Sequence, residues 1–238
     1  NTIPNNSNAC AVFEAALNTK NLYRIGIATH MFADTFAHQN FIGYYESCNG
    51  KSKKKTILQD LLPNVGHADF LHDPDWPAHT WDDTRLLKNN QRVNNKDRFL
   101  KAAGCIFEKY CKYLNPISLS VLEKDKNDLI AEIDTLIGGP DEHNAERPNR
   151  IARYKDCIIK ITKSNFIEYN EQKWFNEAVE KNLLASIPIL NRWGIYKWKD
   201  GYASSNWYGF QEAIREHQKY VFENIIDKIT ENLELERI

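Results

Sequence analysis

The segment from Leu22 to His38, Leu-Tyr-Arg-Ile-Gly-Ile-Ala-Thr-His-Met-Phe-Ala-Asp-Thr-Phe-Ala-His, constrains this chain more than any other. It is apolar on nearly every side of a 3.6-residue turn, so it reads as a helix buried on most faces. Three polar residues interrupt it at intervals of four: His30, Asp34 and His38. At about 100° per residue they fall within roughly 80° of arc, on a single stripe. A carboxylate carried into an apolar interior is costly unless something compensates its charge. A divalent cation would do so, and a spacing of four is how a helix offers two ligands to one ion. The same three groups can also bond to one another with no metal, and the spacing alone leaves both readings open.

The rest of the chain reads as helical. Ten glycines and eight prolines in 238 residues are few, which disfavours a turn-rich β-sandwich. The periodicity predicts helices over about 9–18, 22–38, 97–114, 117–137, 145–163, 171–186 and 208–235, with Ser7 or Asn8 capping the first. Asn115-Pro116 and Gly138-Gly139-Pro140 are stops. Residues 43–56 read as a polar loop with a basic run at Lys51–Lys55, and residues 57–92 as an irregular segment punctuated by Pro63, Pro74 and Pro77. Residues 187–209 read as an aromatic-rich connection carrying Trp193, Trp198 and Trp207, and His217 in the last helix reads as a surface residue. No alternating five-residue run stands out. The expectation is an all-α fold, a multi-helix bundle with a long irregular His/Asp-rich loop, forming one domain over residues 1–238. The chain opens Asn1-Thr2-Ile3-Pro4, with neither Met nor a signal segment, so an upstream segment is expected to complete the fold.

Composition excludes several functions. Lys plus Arg number 31 and Asp plus Glu 32, so the strong positive excess of a general nucleic-acid binder is missing. No stretch approaches the roughly 18 consecutive apolar residues of a transmembrane helix. The five cysteines, at 10, 48, 105, 111 and 157, form no Cys-x-x-Cys pair and are odd in number, which argues against a disulfide scaffold or a thiolate zinc site. Free thiols and the lack of a visible signal peptide favour the cytoplasm. There is no P-loop, no Gly-x-Gly-x-x-Gly and no Gly-x-Ser-x-Gly.

A second polar cluster lies in the irregular segment. Residues 64–77, Asn-Val-Gly-His-Ala-Asp-Phe-Leu-His-Asp-Pro-Asp-Trp-Pro, hold His67, Asp69, His72, Asp73 and Asp75, with His79 and Asp83 close behind. Imidazole and carboxylate without thiol suit zinc or another divalent ion such as Mn, Fe or Ni. His67, which follows Gly66 in the least polar part of the segment, joins the candidate ligands; His72, Asp69, His79 and Asp83 are possible additional ones. Each can also be an ordinary turn residue. His72-Asp73 invites comparison with the His-Asp phosphohydrolases, which place that pair inside a helix, but Pro74 and Pro77 argue against a helix here. Glu-x-x-His, which di-iron bundles need, is absent.

Residues 28–39, Ala-Thr-His-Met-Phe-Ala-Asp-Thr-Phe-Ala-His-Gln, resemble the His-x-x-x-Asp…His helix of the zinc-dependent phospholipase C and single-strand nuclease superfamily. The longer stretch from Asn21 to Tyr44 is more similar still to a large bacterial family of uncharacterised function. That family also carries blocks like Gly66-His67-Ala68, Pro74-Asp75-Trp76-Pro77 and Arg92–Leu100. The first resemblance implies an all-α enzyme with bound zinc. His30 and Asp34 match its ligand pair, in which the Asp bridges two ions. His38 resembles the downstream His ligand, four residues after Asp34 rather than six. His67 is the nearest counterpart of the next His, with Leu71 standing where a Glu would be; His79 and Asp83 have the spacing to substitute. No Trp stands at Asn1 to supply the superfamily's N-terminal ligand, so one or two metal ions are implied rather than three.

The expected activity is hydrolysis of a small-molecule or lipid phosphoester by metal-activated water, with Asp34 as catalytic residue and His30, Asp34, His38 and His67 as ligands. The alternative is a helical binding protein in which the same residues form a structural metal site or a hydrogen-bonded cluster.

Overall fold

In the computed structural model the described residues are 2–44, 46–50, 65–114, 119–181 and 196–232. They are mostly helical, with two small antiparallel hairpins. Lys51–Lys55 and Trp193 lie outside the described residues. Among the described residues, no helix is long and apolar enough to cross a membrane.

The chain divides into two compact units, residues 1–14 with 29–166 and residues 15–28 with 167–238. The first two helices each contribute to both. Helix α1 spans Ser7–Asn18 and α2 spans Leu22–Ala37. The cap of α1 is neither Ser7 nor Asn8: Asn6 Oδ1 accepts from the Ala9 N–H at 3.0 Å, and Ser7 is already helical. Asn6 is as good a cap as either, and it sits where the third helical N–H needs an acceptor. Asn21 caps α2, accepting from the N–H groups of Tyr23 and Arg24.

In the first unit, Phe32 of α2 packs on Phe13 of α1, with ring centroids 5.1 Å apart, and both are fully buried. Residues 65–79 run through tight turns into strand β1 (Thr80–Asp82), which pairs with β2 (Arg92–Asn94) in the register Trp81↔Val93. Strand β1 falls within the 57–92 segment that the sequence reading leaves irregular, and β2 begins at its last residue. Three residues are too short to display a period-two pattern, although Trp81 and Val93 do point inward together onto Phe41 and Phe70. Helix α3 (Asn95–Leu114) starts directly after β2. Helix α4 (Leu119–Ile137) packs against it, and Gly104 lets the helices close: a Cβ there would stand 3.1 Å from Ile130 Cδ1.

Helix α5 (Arg147–Thr162) sends two arginines back to the end of α4. Arg150 Nε donates to Ile137 O, and Arg153 Nε to Leu136 O. These are the carbonyls that a helix C-terminus leaves unpaired, and cations suit its negative dipole end. Asp141 holds Arg150 in place at 2.9 Å and accepts from the N–H groups of Ala145 and Glu146. Burial pushes the Asp141 carboxyl up, but the Arg150 hydrogen bond and those two backbone N–H groups outweigh it and hold the carboxyl below its ordinary range. The Asp141 N–H donates to Ala78 O, tying this connection to the 72–79 loop.

That loop is anchored by Asn95, which is fully buried. Its Oδ1 accepts from Trp81 Nε1 at 2.9 Å, and its Nδ2 donates to Asp73 O and Trp76 O at 2.5 and 2.9 Å. Its backbone N–H donates to His79 O.

In the second unit, helix α6 is short, Lys173–Ala178, and the chain then turns extended as β3 (Val179–Lys181), paired with β4 (Tyr196–Trp198). The expected helix over 171–186 is therefore corrected at Val179. Cross-strand partners decide it: Glu180 and Lys197 stand opposite each other and form a 2.9 Å ion pair. Helix α7 (Asn206–Val221) is capped by Ser205 and continues through a π-turn at Phe222–Ile226 into α8 (Asp227–Asn232). Arg24, from the start of α2, is buried in this unit, 3.4 Å from Glu216 and over the Tyr220 ring. His217 is half-buried rather than a surface residue, and its Nδ1 is enclosed without a partner. Burial, with Arg24 nearby, pushes its pKa below 6.5.

Two predictions follow from these anchors. Asn95→Ala leaves the buried Trp81 indole N–H without its acceptor and takes one donor each from the Asp73 and Trp76 carbonyls, of which Trp76 O keeps the His79 N–H, so denaturant unfolding should show a loss of roughly 2–3 kcal/mol. A loss under about 1 kcal/mol would mean the amide does not hold the loop. For His217, the folded chain binds its proton less readily than the unfolded chain, so this residue's contribution to stability falls as pH drops below 6.5. Melting temperatures at pH 7.5 and 5.5 should show a smaller acid-side loss in His217→Gln than in the wild type. Equal losses would refute the assignment.

Candidate metal centre

His38 is the residue immediately after α2. Its N–H donates to Asp34 O, so it continues the helical line. The end of α2 is held by Arg98 of α3, whose buried guanidinium donates to Ala37 O at 3.0 Å. Burial pushes Arg98 down to about 10, against the opposing pull of Asp83 and with the help of Arg85. The group stays charged at neutral pH and meets the negative end of the α2 dipole.

His67 reaches the same place from the other side. The Gly66 N–H donates to Ile42 O, and Gly66 adopts φ +55°, the left-handed region that glycine enters without steric cost. The His67 ring stacks on His38 with centroids 4.4 Å apart and planes 15° from parallel. Below them lie Phe41 and Phe70, with the Phe41 ring edge-on to His67 at 6.1 Å. His67 Nδ1 lies 3.0 Å from Leu71 O. A carbonyl can only accept, so Nδ1 carries the proton and Nε2 presents a lone pair. Leu71 is itself in an uncommon conformation for a branched residue, φ 51° and ψ −114°.

Asp75 completes the cluster. It lies between Asp73 and Trp76, whose carbonyls Asn95 holds. Its Oδ1 is 3.0 Å from His38 Nε2. Burial pushes the Asp75 carboxyl up, but the His38 hydrogen bond and the positive potential of His67, His38 and His72 outweigh it, so it lies below its ordinary range. One ligand-type atom from each of His38, His67 and Asp75 lies within 4.8 Å of the other two. Ligands 2.0–2.2 Å from a tetrahedral ion stand roughly 3.3 Å apart, so three such atoms need only small adjustments to share one ion.

The other candidates are placed differently. His30 and Asp34 pair at 3.5 Å one and two turns earlier on α2, with side chains 82% and 41% exposed. The stripe therefore faces outward, and the expectation of a buried carboxylate is corrected. The buried face of this end of α2 is Phe32, Thr35, Phe36 and Ala37. Asp34 does line a cleft of about 380 Å³ together with Asp75, closed by Phe99, Ala102 and Ile106 of α3. His72 is exposed and stacks on Trp76. His79 lies 3.5 Å from Asp73. Asp83 is fully buried and gripped by Arg85 through both oxygens, at 2.6 and 2.7 Å, while the Arg85 guanidinium sits over the Phe41 ring. His79 and Asp83 thus answer to different partners. Asp69 lies in the turn Ala68–Phe70, beside His67 in sequence but outside the three-residue cluster.

Asp75 is the residue that sequence reasoning left out of the site. A signal for it existed in Pro74-Asp75-Trp76-Pro77, where two prolines stiffen the chain on either side of a carboxylate.

Two comparisons with known proteins find nothing: no curated protein and no solved structure matches the chain. A family model described as a family of unknown function (DUF6765) matches residues 1–225, a span that includes α1 to α7 and all of the clustered site residues. The chain belongs to this family of unknown function, DUF6765.

Proposed function

We propose that the protein is a divalent-metal-dependent hydrolase of phosphoesters, with His38, His67 and Asp75 as the ligands of one ion. The observation that supports this most is the convergence of two imidazoles and a carboxylate within 4.8 Å, beside a cleft. Two nitrogen donors and one carboxylate suit zinc, with Mn, Fe and Ni as other candidates. Three protein ligands leave a coordination position open, as catalytic sites do and closed structural sites do not. A bound ion there would supply a water whose pKa is lowered toward neutrality.

The residues around it have separate tasks. Leu71 O fixes the tautomer of His67, and an anchored second shell of this kind sharpens ligand geometry. Asp34, half-exposed in the cleft it shares with Asp75, is the group that orients the attacking water and takes its proton. His30 pairs with Asp34 and keeps its carboxylate turned along α2. The resemblance of His30 and Asp34 to the phospholipase C and nuclease helix supports the same reaction class. A second reading has its own support: the His38–Asp75 and His67–Leu71 hydrogen bonds satisfy the cluster in part without any metal.

Elemental analysis of the chain purified without added metal, and again after dialysis against zinc, separates the two. About one ion per chain is expected, lost in His38→Ala, His67→Ala and Asp75→Ala but kept in His30→Ala. A folded wild type that stays empty after zinc dialysis would establish the hydrogen-bonded cluster instead. In the metal-loaded chain, Asp34→Asn should lower kcat on bis(p-nitrophenyl) phosphate by roughly 100-fold or more with metal content unchanged. Undiminished turnover would remove Asp34 from the reaction.

A further inference from the structure

Asp75 lines two clefts. The first is the Asp34 cleft, which holds two carboxylates and no cation among its lining residues. The second, about 540 Å³, lies between residues 72–77 and the start of α5. Its walls are His72, Trp76 and Pro77 on one side and Arg147, Ile151 and Tyr154 on the other, with Arg150 also reaching it.

The two arginines of this second cleft differ. Arg150 is buried and each of its three guanidinium nitrogens is engaged, by Ile137 O, Asn144 Oδ1 and Asp141 Oδ2. It is a structural tie with its charge balanced. Arg147 is exposed at the first turn of α5, and its side chain makes no hydrogen bond or ion pair among the described residues. No acidic residue stands in that first turn to offset it. Asp75 borders both clefts, so what stands with it decides between them: an unpaired cation, Arg147, in the second and another carboxylate, Asp34, in the first. An anionic substrate is repelled by the Asp34 side and attracted to the Arg147 side.

The remaining lining sets the shape of the ligand. Trp76, Tyr154 and Ile151 offer flat and apolar surface, and the volume is in the ordinary range for a small-molecule site. Trp76 is also stiffened by its stack on His72 and by the Asn95 bond to its carbonyl.

We infer that the cleft between Trp76 and Arg147 is the substrate seat of the site, taking a phosphoester with a planar, apolar ester group whose phosphate is clamped by Arg147. This rests on the reading of His38, His67 and Asp75 as a hydrolytic metal centre. It assigns the two clefts to opposite sides of one reaction: water and its proton on the Asp34 side, ester group on the Arg147 side, with Asp75 between them. An in-line displacement needs that separation.

Calorimetric titration tests the inference, using p-nitrophenyl phosphate, methyl phosphate and inorganic phosphate as probes. The proteins are wild type, Arg147→Gln and Trp76→Leu, each checked for folding by circular dichroism and for bound metal by elemental analysis. Arg147→Gln should weaken all three probes by roughly 10-fold to 100-fold, the worth of a charge-assisted hydrogen bond, with metal content unchanged. Trp76→Leu should weaken p-nitrophenyl phosphate while leaving methyl and inorganic phosphate unaffected. Unchanged affinities in Arg147→Gln would overturn the seat, even in a chain that binds metal and hydrolyses phosphodiesters. A chain that binds no metal but still loses p-nitrophenyl phosphate on Arg147→Gln would keep the seat and discard the hydrolytic centre.

Discussion

Everything near the site depends on one buried amide. Asn95 opens α3 and has no exposure to solvent, so each of its polar atoms must find a partner inside the protein. Its side chain takes the Trp81 indole N–H and gives both of its own hydrogens to carbonyls of the 72–79 loop. A loop of tight turns with two prolines has no internal ladder to define it. The amide supplies one from outside, and so fixes where Asp75 and Trp76 stand relative to α3. Arg98, one turn further along α3, does the same for the end of α2. One helix start therefore places both His38 and Asp75, which come from segments 37 residues apart.

The arginines of the first unit share a physical logic. Arg98, Arg150 and Arg153 each spend guanidinium hydrogens on the last carbonyls of a neighbouring helix. Such carbonyls cannot be left dry, and water is excluded where helices pack. Arg85 solves a related problem differently, neutralising the buried Asp83 while lying flat over Phe41. In each case the charge is used up structurally. Arg147 differs from these four in being exposed at the mouth of a cleft with no side-chain partner among the described residues.

Much of the helical framework was legible in the sequence. The starts and stops of α2, α3, α4 and α5 fall within a few residues of their expected places, because apolar periodicity and the Gly-Gly-Pro stop at 138–140 are local signals. The three-residue strands were not legible, since pairing of Trp81 with Val93 or Glu180 with Lys197 is a long-range fact. Within the site, His38 and His67 were readable as polar residues in apolar surroundings. The prolines around Asp75 mark it, but its pairing with His38 was not readable, because what brings the two together is an asparagine 20 positions after Asp75. The exposure of His30 was misjudged because a helix with Ala and Gly beside its polar stripe looks apolar all round. Small residues leave that face open to water without registering as polar.

The placement of Arg24 has a consequence for how the chain can be divided. Glu216, His217 and Tyr220 around it all belong to the C-terminal segment, yet it is carried by the N-terminal one. The second unit is built from both ends of the chain, residues 15–28 and 167–238. No single cut releases either unit intact. A fragment ending at Phe166 would keep His38, His67 and Asp75 but leave the Arg24 guanidinium without Glu216 and without the tyrosine ring beneath it. A clean separation would instead require supplying 167–238 as a second polypeptide, to reassemble on the first by complementation.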